Sequence, residues 1–223
     1  MIKTNYHTHT LYCDGKNSPE EVILSAIEKK IDILGFSGHS MYPFAEDWHI
    51  SPKQINDYMA EIKTLAEKYK DHISILCGFE ADYIPGITEP TFSNYENFNP
   101  DYLIGSVHYI ATSNGHYTMD HKPERVKRGV DILYNGDGKK AVCDYFEAQR
   151  FILEHGDFDI WGHPDLFRKR NAELKLLTKG QRKLFNNPLR QMQFPMKHPK
   201  YVVPDYAYFD ELSKCSDFDR WFF

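Results

Sequence analysis

Apolar positions along this chain change their period several times, and those changes mark out its elements. Residues 2–10 read as a strand, followed by a loop at Cys13-Asp14-Gly15. Ser18-Pro19-Glu20-Glu21 is a helix start: Ser18 can cap, Pro19 suits the first helical position and Glu21 completes a capping box. Val22, Ile23, Ala26 and Ile27 then recur at helical spacing. Residues 31–36 form a short apolar run ending in Ser37-Gly38-His39, a second strand. Ser51-Pro52-Lys53-Gln54 is a second capping signal and predicts a longer helix, with Ile55, Tyr58, Met59, Ile62, Leu65, Ala66 and Tyr69 on its apolar face. Three more strands are expected at 73–79, 102–107 and 158–161. Helices at 123–134 and 139–155 lie between the last two, parted by the turn-forming Asn135-Gly136-Asp137-Gly138.

Strands alternating with helices imply βα units, a parallel sheet and an α/β fold. An open doubly wound sheet and a closed barrel both fit that alternation. The chain's 223 residues suffice for one domain with a sizeable core. Its 41% hydrophobic and 15% aromatic content excludes a disordered or coiled-coil polypeptide. A net charge of −5 gives no reason to expect nucleic acid or an anionic membrane as partner. No apolar run approaches the roughly 18 residues of a membrane helix. No basic stretch with an apolar core opens the chain, so a cytoplasmic protein is expected. Cys13, Cys77, Cys143 and Cys215 form no CxxC pair and read as reduced thiols.

Candidate chemistry sits where the apolar runs stop. His7 and His9 are two apart, and on a strand both imidazoles would point to one side and converge on one ion. Alone, such a pair is weak evidence. But the second strand ends in His39, the third reaches Glu80, the fourth ends in His108 and the fifth in His163, with Asp14 just past the first. Ligands gather at the carboxyl ends of strands in barrels and in open sheets alike. Five successive strand ends bearing His or Glu are hard to explain by packing, and imidazole with carboxylate suits zinc, iron or manganese.

Tyr6-His7-Thr8-His9-Thr10 with Cys13-Asp14-Gly15, Gly35-Phe36-Ser37-Gly38-His39, Gly78-Phe79-Glu80-Ala81-Asp82-Tyr83, Gly105-Ser106-Val107-His108-Tyr109 and Gly162-His163-Pro164-Asp165 resemble the PHP (polymerase and histidinol phosphatase) family. Within it they look most like the histidinol-phosphate phosphatases, and the motifs run in order from residue 1 to about 175. The resemblance implies a distorted (β/α)7 TIM-like barrel holding two or three divalent ions (Zn, Fe or Mn). In that pattern His7, His9 and Glu80 would hold one ion, Glu80 would bridge to a second on His108 and His163, and Asp14 and His39 would hold a third. The reaction implied is hydrolysis of L-histidinol phosphate to L-histidinol and phosphate. Its nucleophile would be a metal-bound hydroxide held by His7, His9, Glu80 and His108. Arg168 would grip the substrate phosphate. A small-molecule phosphate ester is then the expected partner, with no nucleic acid and no membrane; the oligomeric state is left open. Metal ions would neutralise the dianionic ester and lower the pKa of a bridging water.

The chain departs from the family late. The pattern's closing Ser-Asp-x-His segment is absent, so the barrel is expected to be incomplete at its C-terminus and the activity impaired. The only Asp-x-His is Asp47-Trp48-His49, in the loop after the second strand, and it reads as a lid or substrate-pocket element. Residues 1–175 are thus read as the phosphoesterase domain and 176–223 as an atypical basic tail. From 166 to 200 there are ten Lys or Arg against a single acidic residue, Glu173, and Pro188, Pro195, Pro199 and Pro204 interrupt any element there. Nothing in the spacing of His198, Asp205 or Asp210 supports them as replacement ligands. Early termination or a frameshift near 174–179 would account for such a tail. Two other functions fit the same ligands: phosphoester hydrolysis on nucleotides or phosphotyrosine, and a catalytically dead metal-binding module.

Overall fold

A computed structural model describes residues 2–40, 42, 47–176 and 201–203 of the chain. Two compact units divide it: residues 1–105 with 156–160, and residues 106–155 with 161–223.

The first unit is built on parallel strands. β1 (Thr4–Asn5) pairs with β2 (Ile33–His39), and β2 with β3 (Ser74–Asp82), in a register that sets His39 opposite Glu80. β4 (Leu103–Ser106) lies next to β3, and Ile160 begins the following strand of the sheet. Aspartates just ahead of β2, β4 and Ile160 hold the backbone of the neighbouring segments. Asp32, Asp101 and Asp159 accept the backbone N–H groups of Lys3, Cys77 and Leu103 at 2.7, 2.7 and 3.2 Å.

Two helices cover this sheet. α1 (Pro19–Glu28) starts as expected: Ser18 Oγ accepts from Glu21 N–H at 3.3 Å and Glu21 Oε2 accepts from Ser18 N–H at 2.8 Å, the reciprocal capping box. α2 (Ile55–Tyr69) buries Ile55, Tyr58, Met59, Ile62 and Leu65, the stripe its spacing predicts. Its Tyr58 hydroxyl donates to Gly78 C=O at 2.8 Å and accepts from Gly38 N–H at 3.2 Å, pinning β2 and β3 at once. The second capping signal behaves differently from the first. Ser51 Oγ is spent on the Gln54 side chain, Gln54 N–H closes a turn onto Ser51 C=O, and the helix begins only at Ile55, without a side-chain cap. A short helix, α3 (Phe92–Tyr95), and one 3-10 turn (Glu96–Phe98) lead towards β4.

The expected first strand is also cut short. Beyond Asn5 its ladder is replaced by a side-chain bond: Thr8 N–H donates to Ser37 Oγ at 3.1 Å while Ser37 N–H donates to Thr8 C=O at 2.9 Å. His7 N–H turns back onto Asn5 Oδ1 at 3.1 Å. His7 and His9 therefore lie outside any strand.

In the second unit β5 (Tyr109–Thr112) and β6 (Gly115–Thr118) form an antiparallel hairpin, an element the hydrophobic pattern did not suggest. α4 (Pro123–Tyr134) and α5 (Gly138–His155) occupy the expected helical stretches. Tyr145 and Phe146 of α5 pack their rings on Phe167 at 5.9 and 5.4 Å. β7 (Ile160–Gly162) runs into this unit, beside β8 (Tyr201–Val203), and α6 (Arg168–Leu174) follows the His-Pro-Asp turn. His198, Asp205, Asp210 and Cys215, and most of the basic tail, lie outside the described residues.

Candidate metal centre

Glu80 lies near the carboxyl end of β3, the longest strand of the first unit, fully buried, and its carboxylate gathers three imidazoles. Its Oε2 lies 3.0 Å from His7 Nε2, 3.3 Å from His9 Nε2 and 3.3 Å from His39 Nδ1. The His7 and His9 rings are 5.0 Å apart, and those of His9 and His39 4.5 Å. The pair of histidines converges as its spacing suggests, but through the Thr8–Ser37 clamp rather than through strand geometry. Asp14 closes the other side, 2.9 Å from His9 Nδ1 and 3.8 Å from His39 Nε2. A tight turn presents it, in which Cys13 and Gly15 N–H groups both donate to Thr10 C=O at 3.0 Å. A Cβ on Gly15 would meet Thr10 N at 2.4 Å, so the turn admits only glycine there.

The charges in this cluster support one another. Burial by itself would raise the Asp14 pKa, but hydrogen bonds from His39 and His9 outweigh it and hold the carboxyl well below the usual range. Burial likewise opposes charge on His9. Hydrogen bonds to Asp14, Cys13 and Glu80 override that opposition and keep its imidazole well above the ordinary value. Two carboxylates set among imidazoles thus demand positive charge, which a proton on His9 meets only in part. Ligand atoms of His9, His39 and Glu80 lie within 4.8 Å of one another, as do those of His9, Cys13 and Asp14. Borderline nitrogen with hard oxygen donors at that spacing is a divalent-metal donor set.

Asp82 and Cys13 join the cluster beyond the expected ligands, and Trp48 of the lid or pocket segment stands beside it. Asp82 is fully buried, accepts from the Tyr42 hydroxyl, and places a carboxylate oxygen within 4.8 Å of a His39 nitrogen. Being two residues beyond Glu80 on β3, it shares Glu80's side, a signal present in the Glu80-Ala81-Asp82 triplet. Cys13 Sγ lies 3.5 Å from His9 Nδ1, and only its adjacency to Asp14 could have revealed it. Trp48, from the Asp47-Trp48-His49 segment, stands edge-on to the His39 ring at 4.6 Å.

In the second unit His108 and His163, both buried, bring their rings to 4.7 Å. His108 C=O is held by Met119 N–H of the loop after β6 at 2.8 Å. His163 adopts φ +22°, unusual for an L-residue and more so before proline. Arg168 sits at the start of α6 with its Nε 3.7 Å from Asp165 Oδ2 and its guanidinium 6.0 Å from the Phe167 ring.

A family model described as "PHP domain" matches residues 5–189. The chain belongs to the PHP domain family. That match runs past residue 175, where the recognisable motifs stop. Among curated relatives, a Schizosaccharomyces pombe protein named "Probable histidinol-phosphatase" is 27% identical over 91% of this chain and 66% of its own length. A Deinococcus radiodurans protein of the same name is 28% identical over 73% of this chain and 60% of its own, and the Bacillus subtilis histidinol-phosphatase 25% identical over 57% and 52%. The chain thus spans between half and two thirds of the length of these relatives. A candidate histidinol phosphatase from Listeria monocytogenes superposes with a TM-score of 0.70 at 21% identity, over 84% of this PHP chain and 78% of that one. A Lactococcus lactis histidinol phosphate phosphatase, solved with zinc, L-histidinol and phosphate, gives 0.50 at 18%, over 77% and 66%. At such identities these likenesses speak for the α/β PHP fold. Among the described residues no helix is long and apolar enough to cross a membrane.

Proposed function

We propose that this PHP domain is a metal-dependent phosphomonoesterase that hydrolyses L-histidinol phosphate to L-histidinol and phosphate. The observation that carries the reading is the convergence of His7, His9 and His39 on the buried Glu80 carboxylate, with Asp14 behind them. Such a cluster has no packing function that apolar residues would not serve better, because buried charge is costly unless it is used or paired. The names of the curated relatives supply the substrate. Two or three divalent ions, zinc, iron or manganese, are the expected cofactors. When bound they would neutralise the ester dianion and acidify water to a nucleophile near neutral pH.

The chain's own residues supply the rest. His7, His9, Asp14, His39 and Glu80 in the first unit, and His108 and His163 in the second, are the ligands. Glu80 offers its carboxylate to several of them at once, and Asp14 keeps its negative charge to low pH. Arg168, oriented by Asp165, is the group we assign to the substrate phosphate, where a guanidinium can donate two parallel hydrogen bonds.

The test is a substrate panel with purified chain: histidinol phosphate, a nucleoside monophosphate and phosphotyrosine, each with zinc, manganese or iron(II), and after chelation. Preferred, chelator-sensitive release of phosphate from histidinol phosphate supports the reading. Preference for another ester would change the substrate. Stoichiometric metal with no turnover on any ester would reduce the protein to a metal-binding module.

A further inference from the structure

α5 sends a line of buried hydrogen bonds to the end of β7. Trp161 Nε1 donates to Gln149 Oε1 at 2.6 Å, Gln149 Nε2 donates to the Tyr145 hydroxyl at 2.6 Å, and that hydroxyl donates to His163 C=O at 3.1 Å. Gln149 and Tyr145 are wholly inaccessible to solvent. The three bonds run in the same direction, each donor atom offering one proton to the next acceptor in turn. Polar groups in such a place cost free energy unless all are satisfied, and a satisfied line is rigid.

The line ends on the residue of this unit whose backbone most needs holding. At φ +22° and followed by Pro164, His163 occupies a conformation that persists only where its surroundings impose it. Its carbonyl takes a second hydrogen bond from Leu166 N–H at 3.1 Å, so the turn is gripped from the helix and from its own following loop.

We infer that Tyr145 and Gln149 are positioning residues for the metal centre: by fixing the His163 carbonyl they fix the direction in which its imidazole leaves the backbone, towards His108. The inference rests on the reading of His163 as a metal ligand. The bonds act on the backbone rather than on the ring, so they set orientation and not basicity. Outer partners of metal-binding histidines that are lost cost about 10- to 100-fold in metal affinity.

Tyr145→Phe removes one hydroxyl and keeps the ring that packs on Phe167. Zinc affinity is measured by competition with a chromophoric chelator, ligand geometry by the cobalt(II) absorption spectrum, and fold by melting of the metal-free protein. The expected result is about tenfold weaker zinc binding and an altered cobalt spectrum, with a melting temperature close to that of the parent. His163→Ala is the control for the underlying reading and should lose one metal equivalent. If it keeps the full complement, the ligand assignment fails. If it loses metal while Tyr145→Phe binds zinc and cobalt as the parent does, the ligand stands and the positioning role is overturned. Should Tyr145→Phe not fold, Trp161→Phe cuts the line at its far end. A smaller loss of zinc affinity then supports the role, and unchanged affinity and spectrum overturn it.

Discussion

In the first unit, His7 and His9 leave the backbone from a segment outside any strand, and a carboxylate gathers their rings. In the second, His163 leaves from a strained turn, and a helix holds it through its own carbonyl. The difference bears on what a bound cation changes. Glu80 holds three imidazoles by charge and hydrogen bonding, through the same atoms a metal would use, so these side chains must exchange partners when an ion enters. The Tyr145–Gln149–Trp161 line touches no ligand atom and stays as it is. On the proposed ligand set, one region would adjust on loading and the other would be set beforehand.

Removing the hub tests this most severely. Glu80→Gln keeps the volume and deletes the charge, and should weaken metal binding by the first unit at least about 100-fold, more than the loss of any outer-shell partner. Metal analysis after dialysis, alongside phosphate release from histidinol phosphate, checks it. Near-parental zinc in Glu80→Gln would mean that the imidazoles are fixed without Glu80, and the contrast between the units would vanish.

Next in size is a steric change beneath the hub. A Cβ on Gly78 would meet Tyr102 O at 2.4 Å and the Tyr102 ring at 2.7 Å, backbone and packed aromatic that cannot step aside. Gly78→Ala should cost about 1–3 kcal/mol in urea unfolding. Lying two residues before Glu80, it should weaken zinc binding as well. Gly129→Ala in the second unit, whose Cβ would meet Tyr117 Cγ at 2.4 Å, should destabilise comparably and leave zinc affinity alone.

Proton linkage separates the regions more gently. A raised His9 pKa stabilises the metal-free protein below the ordinary imidazole value, and that contribution is lost as pH rises through the raised one. A lowered Asp14 pKa contributes above the ordinary carboxylate value and is lost as pH falls through the lowered one. The pair is therefore fully effective between about pH 4 and 6.5 and weakens above that. The gain is small, because the Asp14 side chain is half exposed. With His9 as a ligand, zinc would displace its proton, so the stabilising effect of zinc should grow with pH. Melting temperatures with and without zinc at pH 6 and 8.5 measure both trends. The Tyr145 line contains no group that titrates in this window, since burial holds the Tyr145 hydroxyl well above its ordinary value. The melting difference between Tyr145→Phe and parent should accordingly be the same at both pH values. A zinc effect independent of pH would contradict the charge-held picture of the first unit.

These features differ in how far they can be read from residues in order. The candidate ligand positions could be read because His39, Glu80, His108 and His163 each follow an apolar run closely, and a carboxyl-end site tolerates errors of a residue or two in strand limits. Strand alternation does not bring His7 and His9 together, because Ser37 Oγ replaces the ladder beyond Asn5 and a side-chain acceptor leaves no periodic trace. Ser18 and Ser51 open near-identical motifs, yet only Ser18 Oγ reaches a backbone N–H; Ser51 bonds to a side chain. The β5–β6 hairpin had a usable signal in Asn114-Gly115, flanked by residues suited to strands. The positioning line had none. Tyr145 and Gln149 are spaced as ordinary helix-face neighbours, and their partners, the Trp161 indole and the His163 carbonyl, come from a strand after the helix has ended.

The smallest expected effect makes the comparison most directly. Ser37→Ala removes the acceptor for Thr8 N–H and so loosens the segment between His7 and His9, as Tyr145→Phe loosens the turn at His163. Each deletes one hydroxyl that bonds to backbone beside a ligand. One hydrogen bond is worth about 1 kcal/mol, or about fivefold in binding. In the first unit Glu80 still gathers both rings after the loss, and Ser37 N–H still donates to Thr8 C=O at 2.9 Å. Ser37→Ala should therefore lower zinc affinity by less than that factor, and by less than Tyr145→Phe, where the strained turn loses its bond from the helix and keeps the one from Leu166. Parallel zinc titrations of the two variants decide the order. If Ser37→Ala proved the more damaging, the carboxylate would not hold the first-unit histidines by itself, and their backbone would be as firmly prearranged as the turn at His163.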